Sequence, residues 1–362
     1  MTDKVLILGG YGNFGKRIAA SLAAKGIPVI IAGRSREKAE GLAAALSSLP
    51  AESAAFDAEV DLKSALDRLK PKVVINSCGP FQSKDYRIAK ACIARGIHYL
   101  DLADARDFVT GITTLDAAAR RADVAVISGA STVPCLSSAV VEHFLSQFSA
   151  LDSMLFGIAP GQKAERGLAT TRAILSYTGK RLKPCAGQPV RYGWQGLFRQ
   201  TFPDLGARWM ADCDVPDLDL FPPRYGIQNI RFSASLENPI IHLGLWSLSW
   251  LVRIGLPLNL PRHAEVMLKA AAWFDRFGSA DGGMFFRLQG LGTDGRPLAK
   301  SWFIIAKNGD GPHIPAIPAV ILAERLVRGS FKLRGATACV GLVGLEGYLA
   351  ELRQIDVTTH EV

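Results

Sequence analysis

Gly10, Gly12 and Gly15 follow directly on the apolar run Val5 to Leu8, and an amphipathic stretch runs on from them to Gly26. This G-x-G-x-x-G spacing suits a turn that holds a dinucleotide pyrophosphate. One glycine allows a tight turn, one lets the backbone approach the phosphates, and one lets helix pack closely on strand. The helix that opens here offers free N–H groups and a positive dipole end to an anion. Tyr11, Asn13 and Phe14 complete the loop GGYGNFG and are read with the glycines as cofactor-binding. A purely structural glycine turn is the competing reading. The strand–turn–helix context favours a ligand.

A second constellation follows the next apolar run, Pro28 to Ala32, where Gly33 leads into Arg34, Ser35 and Arg36. An NAD site places an acidic side chain at this point to accept from the ribose 2′-hydroxyl. Here two guanidinium groups and a hydroxyl stand instead, a set suited to a 2′-phosphate. Arginines near a helix start are mildly unfavourable against the dipole, which an anion would relieve. NADP(H) is therefore the expected cofactor. Asp57, after the third apolar run, either sits near the adenine or caps a helix.

Hydride transfer needs a group that gives or takes a proton. The candidates are Tyr86, Asp101 and Asp104, which lie near the carboxyl ends of the fourth and fifth apolar runs. His98 reads as a packing residue inside a strand, Ser131 is weighed with the group, and Cys135 reads as a small buried residue. There is no G-x-S-x-G elbow and no H-E-x-x-H pair, so hydrolase chemistry has no anchor.

These residues need a scaffold. Apolar runs at 4–8, 28–32, 53–56, 72–76, 97–100 and 124–128 alternate with helical patterns at 13–25, 35–48, 61–70, 83–95 and 111–121. The alternation predicts an α/β fold, a Rossmann-type doubly wound parallel sheet over residues 1–128. Residues 129–149 read as a connecting turn and helix. Residues 150–312 read as a second α+β domain for substrate and dimerisation. Residues 313–362 read as a C-terminal helical segment returning to the first domain.

The chain has 362 residues, 49% of them hydrophobic, enough for two cored domains. Its net charge of +9 is dispersed, and no nucleic-acid module is present, so no nucleic-acid partner is expected. Six cysteines without a C-x-x-C pair suggest free thiols, no metal site and a reducing, cytoplasmic location. The first strand begins within a few residues of the start, which leaves no room for a signal peptide. The apolar stretch 239–260 is broken by His242, Arg253 and prolines. It is read as core or dimer interface, in preference to peripheral membrane contact and above all to a spanning helix. The expected partners are a small-molecule substrate and a second copy in a homodimer.

The segment VVINSCGPFQSKDYRIAKACIARGIHYLDLADARDF, Val73 to Phe108, together with GGYGNFG and GRSREK, resembles the saccharopine dehydrogenase-like family of oxidoreductases. The likeness covers about the first 145 residues and is weaker near the C-terminus. It implies an NADP-binding Rossmann domain and a mixed domain for substrate and dimerisation. It also implies that Gly79, Pro80 and Phe81 form the loop passing the nicotinamide side of the cofactor. Many relatives carry Gly-Glu after the Asp-Leu of the fifth strand. This chain has Ala103 and Asp104 after Asp101-Leu102. The activity implied is NADP(H)-dependent hydride transfer at a carbon bonded to nitrogen or oxygen. The alternatives are a nucleotide-binding sensor without turnover and an extended short-chain dehydrogenase, whose Tyr-x-x-x-Lys pair Tyr86 and Lys90 mimic on the wrong helix.

Overall fold

The computed structural model describes residues 3–82, 85–185 and 188–362, which form two compact units. The first unit comprises residues 1–137 and 313–348, and the second residues 138–312 and 349–362.

In the first unit, six strands occupy Val5–Leu8 (β1), Val29–Gly33 (β2), Ala51–Ala55 (β3), Val73–Asn76 (β4), His98–Asp101 (β5) and Ala125–Ser128 (β6). The four-residue strands β1, β4, β5 and β6 are buried throughout. Strands covered on both faces read as unbroken apolar runs, so an expectation built on runs finds them to within a residue or two. A further strand of this sheet, Gly335–Ala338, is β13 in chain order, and the order across the sheet is β13-β6-β5-β4-β1-β2-β3. Every pairing is parallel. The chain winds outward from β1 to β3 and then returns to lay β4 beside β1. Their carboxyl ends are thus the switch point where open α/β sheets bind ligands.

The helix Asn13–Ala24 packs Ile18, Ala19, Leu22 and Ala23 inward. The helix Ile317–Val327, buried on nearly every side, lies against it and against β4 and β5. The helix expected at 83–95 is Arg87–Ile93, and residues 83 and 84 lie outside the described residues. The helix expected at 111–121 is broken into Arg106–Gly111, a 3-10 turn Ile112–Leu115, and Asp116–Arg121.

The second unit carries a mixed sheet. Its strands are Phe148–Ala159 (β7), Phe198–Phe202 (β8), Gly206–Asp212 (β9), Asn229–Ala234 (β10), Gly282–Gly292 (β11), Pro297–Ala306 (β12) and Val357–Glu361 (β14). The order is β14-β12-β11-β7-β10-β9-β8. Only β7 and β10 pair in parallel. One face is built on Phe202, Met210, Phe285, Phe303 and Ile305. On the other, Phe156 stacks on Phe286, with ring centroids 5.8 Å apart. Buried Arg208 ties the surrounding loops, donating to Pro160 O at 3.1 Å and to Glu237 at 3.1 Å. Glu237 also accepts from Gln162 N at 2.6 Å and Ser279 Oγ at 2.7 Å.

Three expectations need correction. The segment 313–362 is not simply helical: it adds β13 to the first sheet and β14 to the second. The short strand GATA is too small and weakly apolar to announce itself, and β6 recruits it as an edge partner. The stretch 129–149 is not one connector, since the division between units falls between 137 and 138, at the start of the helix Ser137–Leu145. Residues 239–260 do not form a core element. The helix Pro239–Arg253 buries only the narrow stripe His242, Leu245 and Ser249, and residues 253–259 are exposed throughout.

Candidate functional site

The turn after β1 is built by sterics. Gly9 has φ +72°, a left-handed conformation that would strain any side chain. Gly12 then caps the helix, its N–H donating to Gly9 O at 2.8 Å. A Cβ on Gly15 would stand 2.2 Å from Gly9 O, so only glycine lets the first helical turn lie this close to the strand. One on Gly10 would stand 2.9 Å from Ile7 O. The first intrahelical bond is Lys16 N to Gly12 O at 3.0 Å, which leaves the N–H groups of the opening turn directed off the helix end. That turn carries no acidic residue, so its positive dipole end faces no carboxylate of its own.

The loop after β4 is tied to this turn. Ser77 Oγ donates to Leu8 O at 2.7 Å, and a Cβ on Gly9 would lie 2.9 Å from that hydroxyl oxygen and 3.0 Å from Cys78 Sγ. Sequence reading gave Ser77 no role. Between these loops and the ends of β2 and β3 lies a cavity of about 400 Å³. Its lining includes Gly9, Tyr11, Gly33, Arg34, Asp57, Cys78, Gly79 and Phe81. The predicted glycine turn, Arg34, Asp57 and the 79–81 loop therefore come together around one space. The Gly79–Pro80 peptide is cis.

At the end of β2 the expected trio divides. Arg34 is exposed at the cavity and makes no hydrogen bond or ion pair among the described residues. Arg36 turns along its own helix toward Glu40, 3.6 Å away, and does not line the cavity. Ser35 is the N-cap of the helix Arg36–Ala45, its Oγ accepting from Lys38 N at 3.3 Å. Tyr11 lies across Gly33, where a Cβ would meet its ring at 2.4 Å, and its hydroxyl accepts from Ser35 N at 3.0 Å. With that lone pair engaged, the Tyr11 O–H proton remains free to donate beside Arg34. Among the other candidates, Asn13 is held by Arg17 and Phe14 is half-buried on the first helical turn. Asp57 folds back, Oδ1 accepting from Glu59 N at 2.8 Å. Arg87, at the start of its helix, also lines the cavity without having been singled out.

The three proton-transfer candidates separate as clearly. Asp101 is fully buried. Its Oδ1 accepts from Ala103 N at 3.0 Å, Ser128 Oγ at 2.9 Å and Gly129 N at 2.9 Å. Oδ2 lacks a well-formed partner, and the buried Tyr99 hydroxyl contributes only a weak interaction to it. Burial raises this carboxyl to about 6 against the pull of its donors. It is a brace between β5 and β6, not a group open to a substrate. Tyr86 is likewise engaged. Its hydroxyl donates to Phe108 O at 2.7 Å and its ring lies 4.8 Å from that of Phe108. Burial, then the charges of Asp101 and Asp107, push its pKa up. Asp104 alone of the three is exposed. Although open to water, it is crowded by protein; desolvation raises its carboxyl, partly offset by hydrogen bonding from its own backbone and from Gln82.

His98 is a packing residue: Nδ1 accepts from Ala125 N at 3.0 Å, and burial lowers its pKa to about 4. Cys135 is buried, and its hydrogen bond to the thiol of Cys339 joins burial in pushing the latter far up. Among the described residues no group of His, Cys, Asp and Glu is placed to hold a metal ion.

Residues 5–127 match the family described as the saccharopine dehydrogenase NADP binding domain. No curated protein matches the chain by sequence. Among solved structures, an apo histidine-tagged saccharopine dehydrogenase (L-Glu forming) from Saccharomyces cerevisiae is similar over 99% of both chains, at 15% identity and a TM-score of 0.69. A meso-dapdh mutant with DAP from Clostridium tetani E88 is similar over 98% of this chain and 99% of its own, at 10% identity and a TM-score of 0.50. The sequence likeness thus lies in residues 5–127, which resemble the NADP binding domain of saccharopine dehydrogenase, and the chain as a whole shares the fold of the yeast enzyme.

Proposed function

We propose that this chain is an NADP(H)-dependent oxidoreductase, transferring a hydride at a carbon bonded to nitrogen or oxygen in a small substrate. The observation that carries the reading is the glycine turn. A backbone that excludes Cβ atoms at Gly10 and Gly15 and a helix end without a carboxylate form a cradle for a pyrophosphate. Arg34 and the Tyr11 hydroxyl, side by side at the end of β2, supply a charged and a neutral donor for a 2′-phosphate. When bound, the nicotinamide supplies a carbon that accepts or releases hydride.

The chain's own part in the chemistry is placement and proton handling. Gly79, Phe81 and Phe108 give the cavity part of its apolar lining. Asp104 is assigned as the acid or base because it is the one of the three candidates that solvent reaches, with neither the burial of Asp101 nor the carbonyl bond of Tyr86. Asp101 acts as a positioning residue, fixing the Leu102–Asp104 backbone through its bond to Ala103 N. Tyr86 has no place in the proton path.

The test is oxidation of NADPH and reduction of NADP+ against amino acids, imines and carbonyl compounds, with Asp104→Asn beside the wild type. Turnover is expected with at least one class, with Asp104→Asn losing the pH dependence of kcat and about a hundredfold in rate. Failure of the chain to bind NADPH, or turnover unchanged in Asp104→Asn, would overturn the reading at the cofactor or at the acid respectively.

A further inference from the structure

The helix Ala264–Ala272 in the second unit buries only its first residue. Large apolar side chains stand open on it and just beyond it, beside the exposed Glu265–Lys269 pair: Val266 is 67% exposed, Trp273 81% and Phe277 67%. In the segment that precedes it, Ile254 is 68% exposed and Leu256 and Leu258 near 40%. Leaving an indole this open costs the apolar contact that aromatic side chains otherwise gain. Several such residues along one continuous stretch of chain mark a surface made to be covered. This inference is independent of the cofactor and the reaction.

Charge identifies the cover. Between residues 239 and 277 there are four arginines and lysines and two carboxylates. Both carboxylates are already paired, Glu265 with Lys269 at 3.0 Å and Asp275 with Arg166. Arg262 and Arg276 have no ion pair among the described residues, and neither does Arg172 on the neighbouring helix Leu168–Tyr177. Two of the cations sit against rings: Arg276 lies 4.6 Å from the centroid of Phe277, and Arg253 4.7 Å from that of Trp250. A two-fold contact with a second copy would set this cationic rim against itself without free carboxylates to answer it. Tryptophan and phenylalanine beside arginine instead suit the headgroup level of a bilayer, where the rings enter and the cations meet lipid phosphates. Among the described residues no helix is long and apolar enough to cross a membrane. The contact would therefore lie along the surface.

We propose that the second unit docks on anionic phospholipid membranes through the apolar shelf 254–277, with Trp273 and Phe277 inserted and Arg262 and Arg276 on the headgroups. The test uses the full chain with vesicles of phosphatidylcholine alone and of phosphatidylcholine with phosphatidylserine. Co-sedimentation with the phosphatidylserine vesicles and a blue shift of tryptophan emission are expected. Binding should weaken about tenfold in Trp273→Ser/Phe277→Ser. It should weaken roughly fivefold for each charge removed in Arg262→Gln and Arg276→Gln, and fall with added salt. These side chains are exposed, so the variants keep the wild-type melting curve, which is recorded alongside. Wild-type binding that the double variant retains would overturn the assignment. So would a wild type that ignores phosphatidylserine vesicles, with or without a dimer in sedimentation velocity that Trp273→Ser/Phe277→Ser dissolves.

Discussion

Replacing Arg34 with alanine should separate the two nicotinamide cofactors. Arg34 is exposed and makes no hydrogen bond or ion pair among the described residues, so its removal leaves the stability of the apo chain unchanged. Its value lies wholly in what binds. A unit charge pair at about 4 Å gives about 1 kcal/mol in bulk water, and a hydrogen bond to a charged group contributes about 1.5–3 kcal/mol. Solvent exposure places Arg34 toward the lower end, about 1–2 kcal/mol, or roughly five- to thirtyfold in affinity for NADP+. NAD+ has no 2′-phosphate and should bind the variant as it binds the wild type. Arg36→Ala should cost much less NADP+ affinity, since that guanidinium lies beside Glu40. Tyr11→Phe should weaken NADP+ by an amount between the two, through loss of the hydroxyl that bonds Ser35 N and borders the cavity. Calorimetric titration of both cofactors into the three variants reads all of this directly. Equal losses for NADP+ and NAD+ in Arg34→Ala would refute the phosphate clamp, and so would a larger loss in Arg36→Ala.

Gly15→Ala should abolish cofactor binding and lower the melting temperature, because its Cβ would meet Gly9 O at 2.2 Å and backbone cannot yield cheaply there; calorimetry and thermal melts check both. Asp101, with its carboxyl raised from 3.8 to about 6, binds its proton more tightly in the folded chain than in the unfolded one. Its contribution to stability is therefore lost as pH rises from about 4 through 6, by roughly 3 kcal/mol at most, and Asp101→Asn should flatten that loss in denaturant titrations. His98 and His242, both lowered from 6.5 to about 4 by burial, act in the opposite direction. They remove stability as pH falls from 6.5 toward 4, so the Asp101→Asn chain should show the steeper acid destabilisation. Glu237→Gln should destabilise by about 3 kcal/mol, because Arg208 would keep a buried charge without its carboxylate; urea unfolding at neutral pH measures it.

The first sheet was legible because its strands are buried on both faces. VLIL, VVIN and AVIS stand as short apolar or nearly apolar blocks between turn residues, and a parallel sheet requires that pattern. The strand GATA was not legible, because an edge strand borrowed from far along the chain needs only a free neighbour, here β6, and little hydrophobicity of its own. The cofactor loop was legible for a different reason. Glycine at three fixed spacings reports a backbone constraint, and Gly15 Cβ against Gly9 O is that constraint in the structure. What residue type could not reveal was engagement. Arg34 and Arg36 look alike in sequence, yet one faces a cavity and the other lies along Glu40. Tyr86, Asp101 and Asp104 are equally able to move protons, yet a backbone carbonyl occupies the first and three donors bury the second.

The stretch 239–260, with the helix that follows it, shows the same limit in reverse. Its hydropathy invited burial, since an apolar run broken by few charges most often packs in a core or an interface. The helix Pro239–Arg253 meets that expectation on only one stripe, because His242, Leu245 and Ser249 at spacings of three and four residues are all that its neighbours cover. Asn238 caps the helix through Ile240 N at 2.9 Å, and Arg253 ends it by reaching Gln195 at 2.7 Å. Local signals therefore suffice to form the element without a full apolar contact. Beyond it the chain packs on the helix Leu168–Tyr177 through Leu260 and Ala264, and Ile254, Val266 and Trp273 remain outside. Periodicity reports which residues could share a face. Whether a face finds a partner depends on the surface the rest of the unit has left over, and that quantity appears only when the whole unit is folded.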